Sequence, residues 1–549
     1  MRSRRSECKP AEPARSEAEP SGLGAEPSGV RAAGRAALTA LSALLLAWSL
    51  RLETAPLVSI VALVPWLLAL RGAGWGAALA SGAFLGTACG VLVASWIPDA
   101  LQSLGSTPAI SWVGLVAVCA FVGPPVFVAL GAAARASAGR RTPTRVAALA
   151  ATVFAAEWGL QSAWWGVPWG LLGYGQRGAL GVAQLAAVAG VPAISALLVG
   201  LNVALTDAVS RRPGAWRSAL VLAAAWAALA LAGLPWAQAL RPSADALESV
   251  DLLIVQPDLP RGERWGDDLQ RLNLHRVWRH VVAAVARERS APDAVVLPEN
   301  LLTTPVDAAP ALARALEERV DALGLPVLTG LVLAAEGPDP GLYRGAVVWL
   351  EPGRGVTARL DKERAIPLLE SGRRFPGDAL FARLVGAAAA WQKVEEAEGG
   401  ATLGGPIPVT PVLCYEALFP TVVARRRTPG SVAILNLADD GWVEGNTATR
   451  HLAGIARFRA IEQRLALVRV AHGGLSVVFD PFGRTVEALP LDRTATLRVS
   501  LHAMPEPTLG ERAGLLALPL AAGAAAGWLA ARPPTSWSRS RRPRGSPRP

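Results

Sequence analysis

The sequence predicts a polytopic α-helical membrane bundle that carries one soluble α/β domain. Three observations lead there. The chain is 52% hydrophobic over 549 residues, with a mean hydropathy of +0.34, too apolar for an ordinary soluble protein. Its apolar residues concentrate in 36–239 and 512–531 rather than spreading evenly. The stretch between them, 240–508, alternates short β-rich runs with amphipathic helical patterns.

Residues 1–30 are rich in Pro, Glu, Ser, Gly and Arg and have no apolar period, so a disordered tail is expected. The polar stretch is too long for a cleaved signal, and a whole bundle follows it. Apolar runs then lie near 36–50, 55–70, 74–96, 110–134, 145–164, 180–207 and 217–239. They predict a membrane domain of seven helices over 31–239. The first two are short against the ~20 residues a span needs. Arg35 and Arg51 can snorkel to help the first one reach.

Charge sets the expected orientation. Arg71 follows the second run, Arg135, Arg140, Arg141 and Arg145 surround the end of the fourth, and Arg211, Arg212 and Arg217 follow the sixth. The loop 98–108 has no Lys or Arg, and the loop after the fifth run has only Arg177. Lys and Arg mark cytoplasmic loops, so the N-terminus is expected in the cytoplasm and 240–508 on the periplasmic side. A C-terminal transmembrane helix over 509–532 then returns the chain to the cytoplasm, where 533–549 form a basic disordered tail. The net charge of +11 fits membrane orientation and attraction to anionic lipid; no nucleic-acid partner is expected.

Within 240–508, strands are expected at Val250–Gln256, Ala294–Leu297, Pro326–Leu333, Gly345–Leu350, Pro411–Tyr415, Val432–Leu437, Ala466–Ala471 and Leu475–Asp480. Helices are expected at Asp268–Arg289, Ala309–Leu323 and Ala448–Leu465. Such a mixture suggests one layered α/β domain.

The chemistry centres on Cys414, the only cysteine of this domain, in Thr410-Pro411-Val412-Leu413-Cys414-Tyr415-Glu416. Cys8 lies in the N-terminal tail, Cys89 and Cys119 in apolar runs, and no C-x-x-C pair exists. A thiol attacks as thiolate and needs a base or nearby positive charge. Glu299, after Val295-Val296-Leu297-Pro298, is placed to take its proton. Lys362, in Leu360-Asp361-Lys362-Glu363, is placed to stabilise the thiolate and then an oxyanion. Taken singly, Glu299 and Lys362 read as a surface acid and a solvated lysine, and Cys414 as a buried inert thiol.

Together they resemble the Glu–Lys–Cys set of the nitrilase superfamily, in the same chain order. Val255-Gln256-Pro257-Asp258, Arg264-Trp265, Ile366-Pro367 with Glu370, and Asp440-Gly441-Trp442 resemble further elements. With Glu157-Trp158, Gly166-Val167-Pro168-Trp169 and Gly173-Tyr174-Gly175-Gln176 in the membrane part, the chain is similar to the apolipoprotein N-acyltransferase family. Leu368-Leu369, Ser371 and Asp439 depart from that family's pattern.

The resemblance implies eight membrane helices and a nitrilase-like αββα sandwich domain between the seventh and eighth. It implies ping-pong acyl transfer from a phospholipid through a Cys414 thioester to the N-terminal amine of a diacylglyceryl-cysteine lipoprotein, at the bacterial inner membrane. Glu299, Lys362 and Cys414 would be catalytic, with Glu370 holding the Lys362 ammonium. Tyr415 and Glu416 would shape the nucleophile's surroundings, and Trp265 and Trp442 would contact substrate. No cofactor or metal is implied, and a monomer is expected. Two other readings share these residues: a membrane-tethered amide hydrolase using water as acceptor, and a catalytically silent relative that binds lipoproteins.

Overall fold

The computed structural model describes residues 28–103, 105–163, 165–239, 249–259, 269–335, 342–367, 369–371, 393–399, 402–441 and 446–503. The C-terminal helix expected at 509–532, the tail after it, Trp265 and Trp442 lie outside the described residues.

The apolar half is a bundle of helices. These are α1 (Ser28–Arg51), α2 (Val64–Ala69), α3 (Trp75–Val93), α4 (Ile97–Ser103), α5 (Pro108–Val122), α6 (Pro124–Ala136) and α7 (Thr142–Ser162), then α8 (Leu180–Ala183), α9 (Ala186–Ala189), α10 (Val191–Val209) and α11 (Ala215–Ala239). Close packing depends on small residues. A Cβ on Gly82 of α3 would sit 2.5 Å from the Phe127 carbonyl oxygen, and one on Gly86 2.4 Å from that of Gly123. Glycines four residues apart let two backbones touch, which drives association where lipid offers no hydrophobic gain.

Several apolar runs do not form single helices. The run near 110–134 bends by 43° between α5 and α6. Gly123 precedes Pro124 there, and proline removes a helical donor and crowds the preceding residue. The run near 55–70 yields a short 3₁₀ turn, Val58–Ile60, and the short α2. The run near 180–207 begins as α8 and α9 and is interrupted at Gly190, whose φ is +73°. Among the described residues, four helices are long and apolar enough to cross a membrane, or five if the bent pair is one span. This is fewer than the seven that composition suggests. α7 has the length but carries buried Arg145 and Glu157.

The polar half has four layers. One sheet has the order β12-β1-β2-β3-β4-β5, with β6 also on β4; the other runs β11-β10-β9-β8-β7. The strands are β1 (Ser249–Gln256), β2 (Ala294–Val296), β3 (Val327–Ala334), β4 (Leu342–Glu351), β5 (Gly355–Asp361), β6 (Lys393–Val394), β7 (Thr410–Leu413), β8 (Ala433–Asp439), β9 (Ala466–His472), β10 (Val477–Phe479), β11 (Thr485–Ala488) and β12 (Ala495–His502). Alternation on β1 sorts the layers. Leu252 and Ile254 face Leu435, Val468 and Val470 of the second sheet. Leu253 and Val255 face α12 (Gln270–Val285) and α13 (Pro310–Leu323) on the outside.

The outer face of the second sheet is covered by α14 (Pro420–Arg426) and α15 (Asn446–Gln463). Phe458 and Ile461 of α15 share one continuous apolar core with Leu46 and Leu50 of α1. The sandwich is therefore seated on the bundle through α15. β1 and β12 pair antiparallel from Ser249↔His502 to Gln256↔Ala495. The chain thus enters and leaves this domain on neighbouring strands, as an insertion requires. Sequence patterning missed β5, β6, β11 and β12, whose largely half-buried or exposed positions carry no clear apolar run.

Candidate active site

Glu299, Lys362 and Cys414 each follow a strand, and the folding of two sheets brings them together. Glu299 lies just past β2, where the Pro298 carbonyl accepts from Gly330 N at 3.1 Å and Thr329 Oγ1 at 3.2 Å. Lys362 follows β5, its N–H donating to the Gly345 carbonyl at 2.7 Å. Gly330 and Gly345, on β3 and β4, leave room for both side chains. A Cβ on Gly330 would lie 2.7 Å from Glu299 Cα and 3.3 Å from a Leu413 methyl; one on Gly345 would lie 3.5 Å from Lys362 Cδ. Leu413 of the second sheet therefore packs on a floor of glycine in the first, and sets Cys414 against the acid and the amine.

The strand ends at Leu413, two residues earlier than its pattern suggests. The φ of Cys414 is +40°, and a 3₁₀ turn over Cys414–Leu418 follows. A non-glycine residue in the left-handed region is strained by roughly 1–3 kcal/mol and persists only when its surroundings hold it. Glu416 supplies much of that hold. Its carboxylate accepts from Leu413 N at 2.8 Å, Glu363 N at 2.6 Å, Arg364 N at 3.2 Å and both terminal nitrogens of Arg426 at 2.5 and 2.8 Å. It thus ties the Cys414 turn to the segment after Lys362, and its lone pairs are fully engaged. Asn436 Nδ2 donates to the Val412 and Cys414 carbonyls at 3.3 Å each. Arg469 in turn donates to Asn436 and, at 2.8 Å, to both oxygens of Asp440.

Lys362 Nζ donates to Glu299 Oε1 at 3.0 Å and to Glu370 Oε2 at 2.9 Å, and Glu370 is fixed by Ile366 N at 3.0 Å. All four of Glu299, Lys362, Glu370 and Cys414 are buried. Burial alone would lower the Lys362 ammonium, but Glu299 and then Glu370 hold it well above its ordinary range. Burial pushes Glu299 up to about 7; Lys362 opposes this, and Glu370 and Asp439 add to it. Burial, reinforced by Glu299 and opposed by Lys362, raises the Cys414 thiol well above its ordinary value. The resting sulfur is therefore protonated, not the thiolate that a nearby lysine suggests. A cluster of one ammonium between two carboxylates can accept a proton from it only as the sulfur attacks.

Tyr415 turns away from this cluster toward the bundle. Its hydroxyl donates to the Gly166 carbonyl at 2.9 Å, and its ring meets Trp169 edge-on at 6.2 Å. Trp169 also packs on Trp96 at 5.5 Å, and its carbonyl contacts His451 Nε2 at 2.9 Å. Behind Trp169 an apolar cavity of about 100 Å³ runs between α3 and α5, bordered by Cys89, Trp96, Phe127 and Glu157. Sequence reasoning missed Arg426, Asn436 and Arg469. The signal for two of them was present: Asn436 and Arg469 interrupt the apolar strands β8 and β9, where a polar side chain must find a partner.

Two family models match the chain. The apolipoprotein N-acyltransferase N-terminal domain covers residues 42–204, and the carbon-nitrogen hydrolase domain covers 265–504. Fold and site thus define a carbon-nitrogen hydrolase joined to a bundle of apolar helices. An apolipoprotein N-acyltransferase of Bradyrhizobium diazoefficiens is 30% identical over 419 residues, 71% of this chain and 74% of that protein. One from Brucella melitensis is 29% identical over 441 residues, 76% and 79% respectively. The chain belongs to the apolipoprotein N-acyltransferase family. Among solved structures, an amidase from Nesterenkonia sp. is similar with a TM-score of 0.36 and 16% identity, over 49% of this chain and 96% of that one.

Proposed function

We propose that this enzyme transfers an acyl chain from a phospholipid to the N-terminal amine of a diacylglyceryl-cysteine lipoprotein, through a thioester on Cys414. The observation that carries the reading is the buried Glu299–Lys362–Glu370 cluster beside the Cys414 turn, whose next residue, Tyr415, is bonded to the membrane bundle.

In the first half-reaction, Cys414 Sγ attacks the ester carbonyl as its proton passes to Glu299. Lys362 gives one N–H each to Glu299 and Glu370, which leaves a third for the oxyanion. A backbone N–H just after Cys414 is the second donor. Collapse expels the lysophospholipid alkoxide, which takes its proton from Glu299. In the second half, the lipoprotein amine attacks the thioester, Glu299 removes the amine proton, and the thiol regains a proton as it leaves. Glu370 positions Lys362, and Glu416 holds the turn that presents Cys414. Trp265 and Trp442 are assigned to the substrate channel.

The membrane part, 31–239, contributes seven helices and 509–532 the eighth, flanked by the tails 1–30 and 533–549; the catalytic domain is 240–508. Arg71, Arg135, Arg145 and Arg212 gather around one cavity near the start of α7, whereas Gly166, bonded to Tyr415, lies beyond its end, which supports a periplasmic catalytic domain and cytoplasmic termini. The protein acts as a monomer in the bacterial inner membrane. The apolar cavity behind Trp169, whose ring packs on Tyr415, supports approach of the donor chain from the bundle side.

Intact-mass measurement after incubation with phospholipid, with and without a diacylated lipopeptide, tests this. An acyl mass on Cys414 that disappears when lipopeptide is added supports the transfer. Loss of the adduct to water alone points to a hydrolase, and absence of any adduct to a silent relative.

A further inference from the structure

At the end of the bundle away from the catalytic domain, a cavity of about 790 Å³ opens among α2 and the turn after it, α6, α7 and the turn after α10. Four arginines line it, Arg71, Arg135, Arg145 and Arg212, against an apolar wall that includes Leu67 and Leu70. Arg145 lies in the first turn of α7, whereas Gly166, bonded to Tyr415, lies beyond its last. At 1.5 Å per residue, roughly 30 Å of helix separates the two ends.

Charge in this cavity is unbalanced. Asp207 of α10 pairs with Arg145 Nε at 3.1 Å and Arg212 Nε at 3.4 Å, and accepts from Thr142 Oγ1 at 3.0 Å. Arg212 also donates to the carbonyls of Ala138 and Arg140, and Arg145 to that of Ala134. Arg71 and Arg135 have no carboxylate or hydrogen-bond acceptor among the described residues. Arg135 instead lies over the Trp75 ring at 5.7 Å, with its Nε buried and unbonded. Trp75 is half exposed, as residues at headgroup depth are.

Guanidinium groups bind phosphate oxygens through paired N–H donors, and basic pockets between membrane helices suit acidic headgroups. The apolar wall and Trp75 favour a lipid over a free ion. We propose that this cavity binds the phosphodiester headgroup of one acidic phospholipid, in the leaflet opposite the catalytic domain and distinct from the acyl donor. The phosphodiester oxygens would pair with Arg71 and Arg135, and the lipid would brace the ends of α2 and α6. This inference does not depend on the acyl-transfer reading.

Native mass spectrometry of the full chain in neutral detergent tests it, with ether-linked phosphatidylglycerol, which cannot acylate Cys414. The expected result is one retained phosphatidylglycerol per chain, with phosphatidylcholine retained at least tenfold less and inorganic phosphate unable to displace the lipid. R71Q/R135Q should lose retention at least tenfold while its cooperative thermal unfolding persists, which reports an intact fold. R141Q/R217Q removes the same charge from exposed positions outside the cavity and should retain the lipid. Equal losses in both double variants, equal retention of phosphatidylcholine, or displacement by phosphate overturns the proposal. If R71Q/R135Q does not fold, R71Q alone, at an exposed position, should lose retention at least threefold, and no loss overturns it equally.

Discussion

The Tyr415 hydroxyl donates to the Gly166 carbonyl at 2.9 Å, across 249 residues of sequence. The residue after the nucleophile is thereby fastened to the loop that leaves α7. Few contacts link the two halves so close to the reacting sulfur. Tyr415→Phe keeps the ring against Trp169 and Phe419 but strands a buried carbonyl, which costs about 1–3 kcal/mol. The melting temperature should fall accordingly. The thioester should still form, because Cys414, Glu299 and Lys362 are untouched, but more slowly as the turn loses its tether. A wild-type acylation rate in single-turnover mass spectrometry would show that this tether has no part in positioning Cys414.

Lys362 is, among the described residues, the one cation between Glu299 and Glu370. Lys362→Ala removes the proposed oxyanion donor, worth ~10²–10³ in rate. It also leaves two buried carboxylates facing each other, a loss of about 3–5 kcal/mol when a buried pair is broken. Acylation should become undetectable and the melting point should drop. Lys362→Met with Glu370→Gln removes one of the two uncompensated charges, so stability should partly return while activity does not. Recovery of activity in that double variant would exclude a role for the ammonium in catalysis.

Burial pushes Glu299 up to about 7, so near neutrality it is divided between its two forms. Only the carboxylate can take the thiol proton. The rate of acylation should therefore rise as pH increases through about 7 and level off above it, the titration belonging to the Glu299–Lys362–Glu370 cluster as a whole. Glu299→Gln should lower the rate ~10²–10⁴ and abolish this limb. A profile that is flat from pH 5 to 8 in the wild type would remove Glu299 as the base.

Glu416 stands two residues after Cys414 and is expected to shape its surroundings. Its five donors show how: the carboxylate holds the turn. Arg426→Leu leaves that carboxylate buried without its cation and should destabilise by about 3–5 kcal/mol. Arg426→Leu with Glu416→Gln should be more stable than Arg426→Leu alone. Thermal unfolding of the three proteins checks this, and equal melting points for Arg426→Leu and wild type would deny the clamp.

Much of this was legible in the sequence where a residue acts within a local pattern. β1, β3, β8 and β9 are runs buried on both faces, so composition alone marks them. Glu299, Lys362 and Cys414 follow such strands, and the structure brings them into one cluster. What sequence could not give is contact between distant segments. The Glu416–Arg426 clamp, the Arg469–Asn436 link to the Cys414 carbonyl and the bond from Tyr415 to Gly166 depend on how two sheets and a bundle meet. The breaks in the membrane runs escaped for another reason: hydropathy measures the solvent a segment prefers, and it is blind to a proline or a left-handed glycine inside that segment.

The glycine floor between the sheets gives a sharper test, because two similar substitutions should differ. At Gly330, an added methyl would lie 2.7 Å from the Glu299 backbone, which cannot yield without moving the carboxylate off Lys362. At Gly345, the nearest atoms are Lys362 Cδ at 3.5 Å and Cβ at 3.6 Å, ordinary contact distances. Neither position has the positive φ that would penalise alanine on conformational grounds. Gly330→Ala should therefore lose acylation by ~10²-fold, the scale expected when a catalytic group is displaced by about an ångström. Gly345→Ala should stay within a few fold of wild type. Single-turnover acylation rates decide it: equal behaviour of the two variants would mean that the spacing between β3 and the Glu299 loop does not control the reaction.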